Sequence, residues 1–247
     1  MGIPERKERE KQMRHDAILA ASQSVFLDKG LYGATLDEIA EKAEVSKGTI
    51  YLYFRSKEDL YFSLMALGLR KLLLMFEATG PEERSPSEII HGFAEAYRNF
   101  SRKENYLFKM LAMVESPVAN EQVSPDVLSE LEKVSDEVLS YVAKFVQKGM
   151  EAGDFRKELS SYEAVILFWV SLSGVLNLKG RAESMRDNKY ISKESFLHQV
   201  EYDLLYDKCV TFLVSLLLSR DPKDKSSREV HVKTKKMSRR LKGVKKK

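Results

Sequence analysis

Apolar residues recur along this chain at the three-and-four spacing of an α-helix, and the alternating pattern of strands is missing. Ile18, Ala21 and Val25 share one face with Phe26 beside them, and Gly30 supplies a residue suited to closing that first helix. Thr35 and Glu38 have the spacing of a capping box and open a second helix whose apolar face is Leu36, Ile39, Ala40 and Ala43. Ser46 caps a short third helix through Phe54, and Ser56 with Asp59 opens a fourth that runs to about Ala78. The segment Thr79–Ser87, with two Pro and one Gly among polar residues, predicts a linker. Further helices are predicted at 87–103, 104–115, 125–152, 161–180 and 193–219, with Gly180–Glu194 as an exposed loop. The 125–152 helix carries one apolar stripe of Val127, Leu131, Val134, Val138, Tyr141, Val142 and Phe145. The picture is an all-α chain.

Composition narrows the class. With 43% hydrophobic and 32% charged residues in 247, the chain has material for a packed core and a solvated surface. The single cysteine, Cys209, excludes an internal disulfide, and its place beside Val210 reads as an inert core thiol. The charged start, Met1–Lys11, does not resemble a secretory signal, and the apolar run Ala164–Leu178 is short and broken by Ser171, Ser173 and Gly174. It reads as a buried helix, so the expectation is a cytoplasmic protein with no membrane partner. The net charge of +4 is uneven: Arg220–Lys247 holds 13 Lys/Arg against 3 Asp/Glu, and the other 219 residues carry 28 against 34. The tail lacks an apolar face and is expected to be disordered, with the ability to add sequence-independent affinity for a polyanion.

Chemistry is concentrated in Thr35–Phe54, TLDEIAEKAEVSKGTIYLYF. Two short helices joined by a turn at Glu44–Val45 have the form of a helix-turn-helix. Ile50 and Phe54 pack inward with Val45, which leaves Lys47, Gly48, Thr49, Tyr51 and Tyr53 on or near the outward face. A lysine and hydroxyls suit phosphates and base edges, Thr and Tyr suit a thymine methyl, and a helix N-terminus favours a phosphate. No phosphate loop, HExxH, CxxC or GxSxG occurs, and His15, His91, His198 and His231 lack metal-ligand spacing. No catalytic residue, metal site or cofactor is therefore expected, and the chain does not read as an enzyme.

Residues 14–60 resemble the N-terminal domain of the TetR family of bacterial transcriptional regulators. The resemblance rests on Ile18-Leu19-Ala20-Ala21, Phe26, Gly30, Thr35, Ile39-Ala40, the run Val45 to Tyr51, Tyr53-Phe54, and Lys57-Glu58 with Leu60. It implies an N-terminal three-helix domain followed by a helical ligand-binding and dimerisation domain. Thr35 and Ser46 would cap helices and touch phosphates; Lys47, Gly48, Thr49 and Tyr51 would face the groove; Tyr53 and Lys57 would grip the backbone. Asp37 stands where some relatives place a basic residue, and Leu52 where others have an aromatic one. The organisation implied is a charged arm (1–13), a DNA-binding domain (14–60), an effector and dimerisation domain (61–219) joined through a helix at about 57–78, and the tail (220–247).

Within the body, Phe93, Tyr97, Phe100, Tyr106, Phe108, Met110 and Met113 form a dense aromatic and methionine set that can line a pocket for an apolar effector. The helices at 161–180 and 193–219 would form a homodimer interface. The function expected is that of a ligand-responsive dimer on a near-palindromic double-stranded operator, most simply a repressor released by its effector. The rival is a general nucleic-acid binder acting through the basic tail.

Overall fold

The computed structural model describes residues 3–80, 84–112, 122–185 and 196–218. Met113 and the basic tail therefore lie outside the described residues. The order of elements is α1 (Ile3–Gly33), α2 (Leu36–Lys42), α3 (Lys47–Tyr51), α4 (Lys57–Glu77), α5 (Pro86–Lys103), α6 (Asn105–Ala112), α7 (Pro125–Ala152), α8 (Ser161–Met185), a 3-10 turn (Phe196–His198) and α9 (Tyr202–Leu217). The fold is all-α. Among the described residues the nearest thing to a sheet is one isolated antiparallel bridge, Phe155 with Leu218.

Among the described residues two compact units emerge, one from within 3–73 and 101–138, the other from within 74–100 and 139–218. The first has a core of Ile18, Phe26, Ile39, Ile50, Leu60 and Leu64, all essentially solvent-free. These are apolar-face positions of α1 to α4. Helix α6 lies close on α4, because a Cβ at Gly68 would stand 3.2 Å from the Leu107 Cβ. Lys71 Nζ donates to Glu104 Oε2 at 3.0 Å across the same pair of helices. The charged arm is helical from Ile3 and continuous with α1. Gly30, with φ +67°, is the non-helical break that the sequence placed there.

The first unit also contains an unusual carboxylate. Asp59 is 2% exposed and sits in the first turn of α4. Its Oδ2 accepts from the Arg55 N–H at 2.9 Å and the Ser124 hydroxyl at 2.7 Å, and its Oδ1 accepts from the Ser124 N–H at 2.7 Å. Ser124 immediately precedes α7. One carboxylate thus serves the positive ends of two helices.

In the second unit, Phe76, Phe93, Tyr141 and Phe145 form an aromatic cluster with ring centroids 5.2–5.9 Å apart. The Tyr206 hydroxyl donates to the Ala94 carbonyl at 2.7 Å, and Arg98 pairs with Asp207 at 2.7 Å. Gly149 gives the Phe155 ring its place: a Cβ there would lie 2.4 Å from Phe155 Cδ2.

Four expectations for this unit need correction. Gly180 does not begin a loop, because α8 continues to Met185. A glycine inside a helix costs only about 1 kcal/mol against alanine. Here Ala182 is buried beyond it, and Lys179 Nζ reaches both Asp203 carboxylate oxygens at 2.9 Å. The last helix does not start at 193. It starts at Tyr202, where the buried series Tyr202, Tyr206, Val210, Val214 and Leu217 begins. Nor is α8 a wholly buried helix within the chain. Ala164, Val165, Leu172 and Leu176 face inward, while Ile166, Leu167, Trp169 and Val170 are exposed. Cys209 is half-buried rather than a core thiol, and burial raises its pKa.

Candidate DNA-binding site

Local sequence dictates how α2 and α3 are presented. Thr35 accepts the Glu38 N–H at 3.3 Å while Glu38 Oε2 accepts the Thr35 N–H at 3.1 Å, the capping box expected from the spacing. Helix α2 ends on Ala43, and Glu44 takes the left-handed conformation with φ +55°. The Val45 N–H returns to the Ala40 carbonyl at 3.0 Å and the Glu44 N–H to Glu41 at 3.1 Å, which closes a Schellman turn. Ser46 then caps α3 by accepting the Thr49 N–H at 3.1 Å, and its oxygen also lies 2.9 Å from the Thr49 hydroxyl. Ile50 and Phe54 anchor the short helix from below.

The outward face matches much of the expected set. Lys47, Gly48 and Tyr51 are exposed, Thr49 and Tyr53 are half-buried, and Tyr51 keeps 52% of its surface accessible. A Cβ at Gly48 would meet nothing closer than Ser46 Oγ at 3.7 Å, so that side of α3 is open to a partner. Leu52 is 81% exposed beside Tyr51, an apolar side chain with no contact to justify it within the fold.

The cations are less free than the sequence suggests. Lys47 Nζ lies 2.8 Å from Asp37 Oδ2, and that hydrogen bond raises the lysine's pKa above its ordinary value. Lys29 pairs with Glu38, which raises the lysine and holds the carboxyl below the usual range; the Thr35 hydrogen bonds add to the latter effect. Lys57 points its ammonium at the carbonyls of Tyr32 and Ala34, at 3.4 and 3.3 Å. It thereby ties the start of α4 to the end of α1. The His15 ring, which has no metal-ligand spacing, packs on Phe54 with centroids 5.0 Å apart.

Residue for residue, the region has the chemistry of a DNA reader. It combines a capped helix N-terminus, a glycine open to close approach, a hydroxyl and an exposed phenol. Residues 18–64 match the family model described as bacterial regulatory proteins, tetR family. The N-terminal domain is a TetR-family helix-turn-helix. Over 139 residues the chain is 26% identical to the HTH-type transcriptional activator FasR of Mycolicibacterium smegmatis, covering 56% of this chain and 62% of that protein. It is 25% identical over 164 residues to the HTH-type transcriptional repressor BepR of Brucella suis, covering 66% and 78%. The fold is similar to that of the transcriptional regulator FadR from Bacillus subtilis in complex with stearoyl-CoA. That structure has a TM-score of 0.59 at 19% identity, with 81% of this chain and 98% of that one covered.

The expected effector set divides between the two units. Phe93, Tyr97 and Phe100 belong to the second, where all three are buried. Phe93 is part of the aromatic cluster, and the Tyr97 hydroxyl lies 2.7 Å from Ser173 Oγ. Tyr106, Phe108 and Met110 belong to the first, where Phe108 and Met110 are buried and Tyr106 is half-buried. Burial and the nearby Tyr61 hydroxyl push the Tyr106 phenol well up. No group of three or more His, Cys, Asp or Glu is placed to hold a metal among the described residues.

Proposed function

We propose that this chain is a dimeric, ligand-responsive, sequence-specific DNA-binding regulator, a repressor that leaves a near-palindromic operator when a small apolar effector binds. The observation that carries the reading is the capped, outward-facing α3 with Gly48 and Tyr51 exposed, inside a domain of the TetR family. Thr35, Ser46, Lys47, Gly48, Thr49, Tyr51 and Tyr53 are its DNA-facing residues. Lys57 acts there mainly by holding α1 against α4.

The dimer is supported by the apolar residues left uncovered on α8 and α9. Trp169 is 49% and Phe212 62% exposed; Ile166 and Val170 lie on the first helix, and Leu205 and Leu216 on the second. On α9, positions 205, 209, 212 and 216 follow the spacing of a helix-packing stripe. A two-fold pairing of this face would set two copies of α3 on half-sites one or more helical turns apart. An apolar effector is supported by the aromatic interior of the second unit. The stearoyl-CoA bound by the FadR structure makes long-chain acyl compounds the first probes.

The test is fluorescence anisotropy on a duplex from the gene's own upstream region against a scrambled duplex, at about 150 mM salt, where nonspecific binding is weak. Selective binding that Tyr51→Ala abolishes, that Phe212→Arg weakens while producing monomers, and that an acyl-CoA reverses is the expected result. Equal binding to both duplexes, lost when residues 220–247 are removed, would transfer the function to the basic tail.

A further inference from the structure

The sequence showed Asp37 only as a negative charge in an unfavourable place. The structure gives it a partner. Asp37 occupies the first turn of α2 and reaches the first residue of α3, so that Lys47 leaves the N-terminus of the reading helix already paired. Both side chains are solvent-exposed, at 71% and 44%, and an exposed pair of this kind is easily exchanged. Lys29 and Lys57 are likewise engaged within the domain, by Glu38 and by two carbonyls. Asp37 thus cancels a cation at the place where a phosphate would meet α3.

We propose that Asp37 is a specificity-determining residue: it withholds Lys47 from unselective phosphate contact and yields it only when α3 is seated in a groove. This rests on the DNA-binding reading above. In a loose encounter, moving the ammonium to a phosphate leaves the Asp37 carboxylate uncompensated beside the same polyanion, so little is gained. In a seated complex a fixed acceptor on the base edge or backbone stands close to Lys47 and competes with Asp37. The pair therefore weakens sequence-independent binding more than it weakens operator binding.

The test compares wild type, Asp37→Asn and Asp37→Ser, each alone and with Lys47→Met, using the full chain. The probes are a scrambled duplex and a duplex that the wild type enriches from a random pool. Releasing Lys47 adds one phosphate contact per half-site. The slope of log K against log salt on scrambled DNA should steepen by about 0.9 per half-site, and affinity at ~150 mM salt should rise about fivefold per half-site. Affinity for the enriched duplex rises by a smaller factor, so discrimination falls, and with Lys47→Met in place both Asp37 variants gain clearly less on scrambled DNA than they do with Lys47 present. An unchanged slope in both Asp37 variants overturns the proposal. So does a gain that is undiminished by Lys47→Met, because Asp37 would then act only as a bare charge. A wild type that enriches no sequence at all sinks the underlying DNA-recognition reading, and this proposal with it.

Discussion

Replacing Asp59 with alanine is the sharpest test of how the N-terminal unit is held together. The side chain is 2% exposed and accepts three hydrogen bonds, from the N–H groups of Arg55 and Ser124 and the hydroxyl of Ser124. Hydrogen bonds to a charged acceptor contribute about 1.5–3 kcal/mol each, and a buried donor left unpaired costs about 1–3 kcal/mol. The Ser124 hydroxyl can turn elsewhere, and water can reach the half-buried Ser124, so the sum is discounted to about 3 kcal/mol. Asparagine keeps one carbonyl oxygen and the shape, and should lose about 1–2 kcal/mol; Ser124→Ala removes only the hydroxyl and should lose about 1 kcal/mol. Urea denaturation followed by far-UV circular dichroism at one fixed protomer concentration measures all three, provided the slope with denaturant is unchanged. The order Asp59→Ala, Asp59→Asn, Ser124→Ala is the signature. An alanine variant within about 1 kcal/mol of wild type, or a serine variant that loses as much, would refute the idea that one carboxylate serves both helix ends.

Three further outcomes follow from local geometry. Gly149→Ala places a methyl 2.4 Å from the Phe155 ring and 3.0 Å from Pro86 Cβ, and should destabilise the second unit by about 1–3 kcal/mol, seen as a lower melting temperature. Glu44→Gly removes the left-handed penalty at φ +55° and should raise the urea midpoint by the equivalent of about 1 kcal/mol. The Glu38 carboxyl titrates below its ordinary value of 4.5 in the folded chain, held down by Lys29 and Thr35, so its contribution is complete above that pH and is lost as pH falls through the lowered folded value. Acid unfolding followed by tryptophan-independent far-UV signal should accordingly be shallower over that range in Glu38→Gln than in wild type.

Much of the N-terminal unit was legible because its signals are local. A capping box and a serine cap act through backbone groups three residues away, and Thr35 and Ser46 behave as their spacing implies, whereas Gly30 kinks the first helix without ending it. What escaped the sequence was tertiary. The Lys47–Asp37 and Asp59–Ser124 contacts join residues 10 and 65 positions apart, and no periodicity encodes them. Glu44 in the left-handed region was equally hidden, since glutamate carries no turn signal. In the second unit the failures came from overreading single residues. Gly180 reads as a stop, yet α8 continues through Arg181–Met185, and the last helix starts at Tyr202 rather than at 193. The apolar richness of 164–178 signalled burial without saying by what, and half of that surface remains open in a single chain.

These differences bear on how an effector could be felt at the DNA. Residues 101–138 lie beyond the expected boundary at 60, yet they pack with residues 1–73. Three separate ties join them to α4: Asp59 with Ser124, Gly68 against Leu107, and Lys71 with Glu104. The foot of α7 and the whole of α6 are thus mechanically part of the reading unit. A ligand that favours one placement of these segments would act on α4 directly, without a path through α2 or α3, and a ligand without differential affinity for the two placements would shift nothing. The three ties differ in chemistry, which makes the route separable. Salt weakens the partly exposed Lys71–Glu104 pair, whereas the buried Asp59 contacts and the close packing at Gly68 are largely indifferent to it. Coupling between effector and operator that persists at high salt but fails in Ser124→Ala would place transmission at the shared helix ends.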